Sequence, residues 1–297
     1  METTGCRIIT YPREGALFSL YDVADIHWGT KGMSMGRLSH DRERIKGDPC
    51  ALWFEGGDYA DFIHPNDKRF DPASFDPSVT VNDLTSYAAK VARQVTEFFR
   101  PIRHKCLGWC IGNHDLKYLT RTSQMQIHDE ICKEMRVPNM GYSGWADLYF
   151  VHLPGRPVAV KVSCVPPKRF TARLRVLVHH GFSTAASPGG KINAMKRLVD
   201  SVEADLVMMS HVHEQLAKSF TRLYPDENCS SIQAKITMGM ITGTYLRTYV
   251  PGMTSYGEQR GYHPTTLGAS RATYSPAEMK LTVESVGEGV GLRGKAA

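Results

Sequence analysis

Histidine, aspartate and asparagine residues follow several short apolar segments of this 297-residue sequence. Six of the 12 histidines lie in four such places: His27, His114, the pair His179 and His180, and the pair His211 and His213. The acidic and amide candidates are Asp25, Asp58 and Asn113. A set of imidazole, carboxylate and amide groups without cysteine suits Mn²⁺, Fe or Zn²⁺ better than Cu(I) or an iron–sulfur cluster.

The number of candidate ligands indicates more than one ion, and Asp58 is a carboxylate that would bridge two. Asp25 and His27 lie two positions apart, as do His211 and His213. On an extended strand, side chains at this spacing share a face. Two-metal sites hold their ions roughly 3.5–4 Å apart and clamp an in-line phosphoryl displacement. We therefore expect two divalent ions, manganese first, with Fe, Zn or Ni as the other candidates.

The elements that must position these side chains are short buried strands. Residues 17–23, 51–54, 106–111, 174–178 and 206–210 form apolar runs bounded by glycine or polar residues, which is typical of buried strands. Helical spacing over 81–100 and 187–202 predicts helices between some of them. Strands that alternate with helices predict an α/β sheet, which binds ligands at the carboxyl ends of its strands.

Each motif also has an ordinary structural explanation when it is taken alone. A Gly-Asp pair commonly marks a turn, and Gly112-Asn113-His114-Asp115 would suit an Asx turn. Two histidines separated by one residue occur by chance in many proteins. The order of five such motifs, each at the end of a predicted strand, favours one composite site over five unrelated features.

The five motifs resemble the signature blocks of the calcineurin-like metallophosphoesterase superfamily. They are Asp25-x-His27, Gly57-Asp58, Gly112-Asn113-His114-Asp115, His180-Gly181 and His211-x-His213. The match covers residues 17–214, and the region after it is similar to uncharacterised phage and metagenomic members. The resemblance implies a four-layer αββα sandwich, with two central mixed β-sheets flanked by helices. Because the chain shows no second domain boundary, we expect one domain over residues 1–280, followed by a C-terminal strand end and frayed tail over 281–297.

The resemblance further assigns roles to individual residues. Asp25, His27 and His213 would hold one ion; Asn113, His211 and one histidine of the 179–180 pair would hold the other; Asp58 would bridge them. His180 is favoured within the pair because glycine follows it, and His179 stays open. His114 resembles the family histidine that contacts the scissile phosphate, beside Asn113, and assists the leaving group.

The resemblance also implies a mechanism and limits the substrate class. A hydroxide bridging the two ions would attack phosphorus, because such ions lower the pKa of water toward ~7. The carboxylate that keeps His114 protonated is Asp115 or Asp61. Phe62 stands where phosphoprotein phosphatases carry arginine, which weakens a protein-phosphatase assignment.

The expected function is hydrolysis of a phosphodiester in DNA, RNA or a nucleotide. The alternatives are a phosphomonoesterase or protein phosphatase, and a non-catalytic binding module on the same fold. Tyr245 and His263 lie in an aromatic and basic region that would form a wall for a nucleotide or single strand. Ordinary cross-strand aromatic pairs in a β-hairpin would explain that region at least as well.

Composition and charge narrow the classes of protein that remain. A hydrophobic content of 42% excludes disordered, collagen-like and disulfide-dense chains. Residues 100–105 and 168–175 are basic stretches. We interpret the net charge of +6 as spread along the chain, so it favours a nucleic-acid partner only slightly. No apolar run reaches roughly 18 residues and no signal peptide is recognisable. We expect a cytoplasmic protein, in the host cytoplasm if it is phage-encoded, without a membrane partner.

Overall fold

The computed structural model describes residues 2–62, 75–77, 86–252 and 254–284. The strands are β1 (Glu2–Tyr11), β2 (Phe18–Val23), β3 (Ala51–Glu55), β4 (Cys106–Trp109), β5 (Ser143–His152), β6 (Ala159–Ser163), β7 (Ala172–His179), β8 (Leu206–Met209), β9 (Leu216–Pro225), β10 (Ile232–Ile241), β11 (Ser270–Ser275) and β12 (Lys280–Val283). The α-helices are α1 (Met35–Gly47), α2 (Tyr87–Phe99), α3 (Asn113–Arg121), α4 (Gln126–Met135), α5 (Pro188–Ser201) and α6 (Tyr256–Gln259), and a 3-10 helix spans Arg100–Lys105.

The strands form two mixed sheets. The larger sheet has the order β6-β1-β5-β7-β8-β10-β9, and the smaller has the order β12-β11-β2-β3-β4. In the smaller sheet β2, β3 and β4 run parallel, and in the larger sheet β7 and β8 run parallel. Each parallel set has its carboxyl ends at one edge of its sheet, and these five strands are the ones that the apolar runs predict.

Three apolar layers hold the elements together. Leu20 of the smaller sheet and Val176 of the larger sheet lie in one cluster between the sheets. Trp53 packs beneath the helices on the outer side of the smaller sheet. Leu198 of α5 packs with Val207 on the outer side of the larger sheet. The alternation of inward and outward side chains along each strand produces this arrangement, and the predicted fold class, two mixed sheets flanked by helices, is confirmed.

The predicted helices are present with shifted ends. Helix α2 begins at Tyr87, and residues 81–85 of the predicted segment lie outside the described residues. Helix α5 begins at Pro188, where the Ser187 hydroxyl accepts a hydrogen bond from the Gly190 N–H at 3.3 Å. Strand β12 crosses the predicted domain limit at residue 280, and residues 285–297 of the predicted tail lie outside the described residues.

A helix that crosses a membrane must be long and apolar. Within the described residues, no helix has both the length and the apolar composition needed to cross a membrane.

Candidate metal centre

The side chains predicted as ligands lie on loops just beyond the strands. Five of them, Asp25, His27, Asp58, His211 and His213, have left-handed backbones with φ between 51° and 74°. Residues other than glycine adopt this conformation at a cost of about 1–3 kcal/mol, and such residues cluster at functional sites. The prediction that each spaced pair lies on an extended strand is therefore wrong. The left-handed turns beyond β2 and β8 position both members of each pair.

Asp25, His27 and His213 form the first group that could hold a metal ion. The Nε2 atom of His213 lies 3.4 Å from both Asp25 Oδ1 and His27 Nε2. Asp25 is fully buried; its Oδ2 accepts a hydrogen bond from the His211 N–H, and its Oδ1 has no hydrogen-bond partner within the described residues. Burial raises the pKa of Asp25, but the neighbouring His213 outweighs it and lowers that pKa below its usual value.

Asp58, His180 and His211 form a second group of the same kind. The Nε2 atom of His180 lies 3.3 Å from Asp58 Oδ2 and 3.1 Å from Asn113 Oδ1. Its Nδ1 atom lies 2.8 Å from the carbonyl oxygen of Gly56, so Nδ1–H donates there and Nε2 is left as a ligand atom. Burial lowers the pKa of His180, but Asp58 outweighs it and raises that pKa to about 9.

The two groups lie next to each other, with His27 of the first beside Asp58 of the second. A third group, formed by His27, Asp58 and His114, links one to the other. Asp25, His27 and Asp58 follow strands of the smaller sheet, whereas His180, His211 and His213 follow strands of the larger sheet. Each of the first two groups therefore draws side chains from both sheets.

His179 lies beside the centre without facing Asp58. Its Nδ1 atom accepts a hydrogen bond from the Gly181 N–H at 2.7 Å. Its ring packs edge-on against Tyr142 and near Phe182. Burial and then the neighbouring His180 lower the pKa of His179 to about 4. Within the 179–180 pair, the structure brings His180 rather than His179 to the candidate ligands.

His114 has Asp61 as its neighbour. The Nδ1 atom of His114 lies 2.9 Å from Asp61 Oδ1, and the His27 Nδ1 atom lies 3.6 Å from the same oxygen. Burial raises the pKa of Asp61, but the hydrogen bond with His114 and the nearby His27 ring outweigh it and hold that pKa well below its usual range. The His114 side chain is partly exposed.

The carboxylate of Asp115 accepts hydrogen bonds from the backbone. Its Oδ1 accepts a hydrogen bond from the Ala60 N–H at 3.1 Å, and its Oδ2 accepts one from the Gly112 N–H at 3.0 Å. The residue therefore caps the start of α3 and ties the β3 loop to it. This geometry does not support a catalytic role for Asp115.

Tyr245 and His263 do not form the predicted substrate wall. Tyr245 is completely buried, and its hydroxyl donates to Asp41 Oδ2 at 2.9 Å. Its backbone N–H donates to the carbonyl oxygen of Asp25 at 3.0 Å, and this hydrogen bond helps to fix the loop that carries Asp25. The prediction that Tyr245 binds substrate is wrong, because an aromatic ring with a satisfied hydroxyl suits the core. His263 is exposed, and within the described residues its imidazole contacts none of the candidate ligands.

Two buried carboxyl groups near the centre are not among the residues identified from the sequence. Asp22 of β2 is fully buried and accepts a hydrogen bond from Ser210 at 3.3 Å. Burial and then Asp25 raise the pKa of Asp22 to about 7. Glu55 of β3 is also fully buried, and burial followed by the nearby Asp115 raises its pKa well above its usual value. An acidic residue at the end of an otherwise apolar run is the signal that would have identified both.

Glycines allow the loops to approach one another closely. Gly57 has φ of 96°, and a Cβ atom there would lie 2.5 Å from His180 Nδ1. A Cβ atom at Gly112 would overlap the Asp58 carboxylate. Both positions therefore require glycine, because a larger residue would displace a candidate ligand.

Comparisons with known proteins give only weak similarities. No family model matches the chain, and no curated protein matches it. Among solved structures, a conserved uncharacterized protein from Streptococcus pneumoniae TIGR4, described as a predicted phosphoesterase, has 10% identity and a TM-score of 0.31 over 87% of this chain and 83% of that one. A Vps29 single mutant from Entamoeba histolytica has 8% identity and a TM-score of 0.30 over 91% of this chain and 100% of that one. At these scores, the case for function depends on the site itself.

The donor set fits divalent cations. The groups combine buried carboxylates with imidazole nitrogens, and Asp25 Oδ1 and His27 Nδ1 are buried without a hydrogen-bond partner within the described residues. Buried polar atoms are normally paired, so orphaned ones at a ligand cluster point to a missing partner. Nitrogen and oxygen donors of this kind suit Mn²⁺, Fe or Zn²⁺.

Proposed function

We propose that this protein is a metal-dependent phosphodiesterase with two divalent ions. The observation that carries the proposal is a pair of ligand groups that a third group, containing His27 and Asp58, joins to each other. One consists of Asp25, His27 and His213, and the other of Asp58, His180 and His211. Neither group alone distinguishes a catalytic site from a structural one, whereas two adjacent groups linked through a carboxylate are typical of phosphoryl-transfer centres.

Each residue has a part in holding the ions. Asp25, His27 and His213 would hold the first, and His180, His211 and Asn113 the second, with Asp58 between them. Two bound ions would supply a nucleophile at neutral pH and offset negative charge on the phosphoryl oxygens. The Gly56 carbonyl fixes the ring of His180, and the His211 N–H fixes the carboxylate of Asp25. These contacts orient the ligands before any ion binds.

His114 would donate a proton to the leaving oxygen. Asp61, held ionised by its two imidazole neighbours, favours the protonated form of His114 and fixes its ring through Nδ1. The opposite ring nitrogen, Nε2, is then the atom that gives up a proton. Positioned general acids of this kind contribute typically 10²–10⁴-fold to rate.

Phe62 supports a diester rather than a phosphoprotein as substrate. It is buried, and its ring stacks on Tyr118 at 5.1 Å and meets Tyr59 edge-on at 6.1 Å. The position at which the protein phosphatases carry an arginine is therefore part of the apolar core in this chain. A phosphoprotein would find no cation there.

The test compares two chromogenic substrates. The purified protein is loaded with Mn²⁺, its metal content is measured, and its activity is assayed on bis-p-nitrophenyl phosphate and on p-nitrophenyl phosphate. We expect two equivalents of metal and a higher kcat/KM on the diester. His114→Ala should retain both ions and lose turnover, whereas Asp58→Asn should lose metal and activity together.

Three results would contradict the proposal. A higher kcat/KM on the monoester would favour a phosphomonoesterase. Absence of turnover with Mn²⁺, Fe²⁺, Zn²⁺ and Ni²⁺, at full metal loading, would favour the non-catalytic binding module. Full activity of His114→Ala would remove that residue from the mechanism.

A further inference from the structure

The positive charge of this protein is concentrated in one part of the sequence. Between Asp147 and Asp200 there are nine Lys or Arg residues and no Asp or Glu. The other parts of the chain therefore hold 27 basic and 30 acidic side chains, and the interpretation that the charge is spread along the chain is wrong. This segment forms β6, β7 and α5 and the loops between them.

The cations that belong to α5 and the first half of β7 are mostly neutralised. Arg173 and Arg175 contact Asp147, at 2.7 and 3.0 Å. Lys191 pairs with Glu214 at 2.6 Å, and Lys196 pairs with Asp200. Three exposed cations near strand β6 differ from these, because Lys161, Lys168 and Arg169 have no ion-pair partner within the described residues.

These three cations surround one face of the larger sheet. Lys161 of β6 pairs with Ile8 of β1, Ile8 with Tyr149 of β5, and Tyr149 with Arg173 of β7. Paired residues share a face. Their strand neighbours, such as Leu148, lie in the core between the sheets, so this row faces outward. The four strands make the row about 14 Å wide.

Helix α5 packs on β8, β9 and β10, away from this outer face, and among the described helices the 3-10 helix contacts β6. Residues 164–171 cross the outer face. The ring of Phe170 meets Tyr149 edge-on at 4.9 Å, and the Arg173 guanidinium lies 5.8 Å from the same Tyr149 ring. Phe170 is nevertheless 48% exposed, and Lys168 and Arg169 beside it are exposed too.

We propose that this face, defined by Lys161, Lys168, Arg169 and Phe170, binds a single-stranded polynucleotide. The unpaired cations complement a phosphate backbone, and an exposed aromatic ring among them provides a surface for a base to stack on. An acidic peptide would match the charge and leave the ring unused. Double-stranded nucleic acid is disfavoured, because no described helix or ribbon projects from the face to enter a groove.

The face is separate from the metal centre. Arg173 precedes His179 by six residues on β7, which corresponds to about 20 Å along the strand. Only a strand of several nucleotides would contact both. The charge and the exposed ring indicate the class of ligand. If the proposed phosphodiesterase activity is present, the bound strand would be its substrate. Binding and hydrolysis are nevertheless separable.

The experiment measures fluorescence anisotropy with labelled 20-nucleotide poly-dT and poly-U, with the full chain in chelator at several salt concentrations. Chelation prevents cleavage, so failure of the proposed hydrolysis leaves the binding result interpretable. We expect the affinity to fall with salt. Changing Lys161, Lys168 and Arg169 together to Gln should lower affinity by more than about tenfold and reduce the salt slope by about 2, since each phosphate contact contributes ~0.7. Phe170→Ala should lower affinity by about tenfold without changing the slope.

A matched control changes net charge equally on the opposite side of the molecule. Lys46, Arg93 and Lys133 lie exposed on α1, α2 and α4, and their joint change to Gln should leave affinity almost unaltered. An equal loss in this control would overturn the proposal, because it would show a non-specific charge effect. Tighter binding of poly-glutamate than of either strand, or no binding of either strand at low salt, would also overturn it. The comparison of poly-dT with poly-U identifies which type of strand is preferred.

Discussion

The Oδ1 atom of Asp61 lies 2.9 Å from Nδ1 of His114, although 53 positions separate the two residues. Asp61→Asn would remove the negative charge that keeps His114 protonated. We expect kcat on a diester to fall by about 10²-fold at saturating metal. The control is Asp115→Asn, which would set an amide group against backbone N–H donors and lower the free energy of unfolding by roughly 1–3 kcal/mol. If Asp115→Asn lost kcat and Asp61→Asn did not, the assignment of the partner would be reversed.

The two adjacent histidines should behave differently. His180→Ala removes an imidazole whose Nε2 lies 3.3 Å from Asp58, so we expect one ion to be lost. His179→Ala removes a ring that accepts a hydrogen bond from Gly181 and should retain two ions. Metal content after dialysis, measured by mass spectrometry, separates the two variants. Equal metal loss in both would show that His179 is also a ligand.

Gly57→Ala should weaken metal binding although it changes none of the candidate ligands. The residue has φ of 96°, and the new Cβ would lie 2.5 Å from His180 Nδ1 and 2.8 Å from the Gly112 nitrogen. We expect a loss of stability of about 1–3 kcal/mol together with weaker metal binding. Gly36→Ala is the control, because nothing lies within 4 Å of a Cβ there and its helical position should gain stability. Urea unfolding with and without Mn²⁺ measures both effects.

Tyr245→Phe should reduce stability and leave the affinity for substrate unchanged. The variant loses the hydroxyl that donates to the buried Asp41, at a cost of about 1–3 kcal/mol. Thermal unfolding and KM on the diester are the two measurements. A raised KM at unchanged stability would restore the substrate-binding role that the sequence suggested.

The metal-free protein should lose stability as the pH rises. Burial and then Asp25 raise the pKa of Asp22 to about 7, against about 3.9 in an unfolded chain. Between these values the folded state holds a proton that the unfolded state releases, so the free energy of unfolding falls as pH increases from about 4 to 7. The loss reaches at most roughly 4 kcal/mol. Asp22→Asn should flatten this dependence in urea titrations at pH 5 and 8, and an unchanged dependence would assign it to another group.

The sequence predicts five of the strands well, because Leu20, Trp53 and Val176 lie in short apolar runs bounded by glycine or polar residues, which are typical of buried strands. It also identifies candidate ligands such as His27 and Asp58, since polar residues just after buried strands collect at one edge of a sheet. Both inferences use neighbouring residues in the chain, which is why they succeed.

Other features depend on contacts between distant segments. The choice between Asp61 and Asp115 depends on how the β3 loop lies against α3, and the burial of Tyr245 depends on Asp41 of α1. The left-handed backbone of His213 has no sequence signal, because only a few per cent of residues other than glycine adopt it and no local motif marks which ones do. The charge asymmetry after Asp147 is visible in the sequence alone, and only the face that it forms required the fold.

Each candidate metal group takes side chains from both sheets. Asp25 and His27 come from the smaller sheet and His213 from the larger, and Asp58 likewise joins His180 and His211 across the same gap. Bound ions would therefore link the two sheets. Because the ions would bind the folded state and not the unfolded chain, they would stabilise the folded state. The cellular lifetime of the protein against proteases would then follow the supply of metal, and a cell short of the ion would hold fewer molecules as well as less active ones.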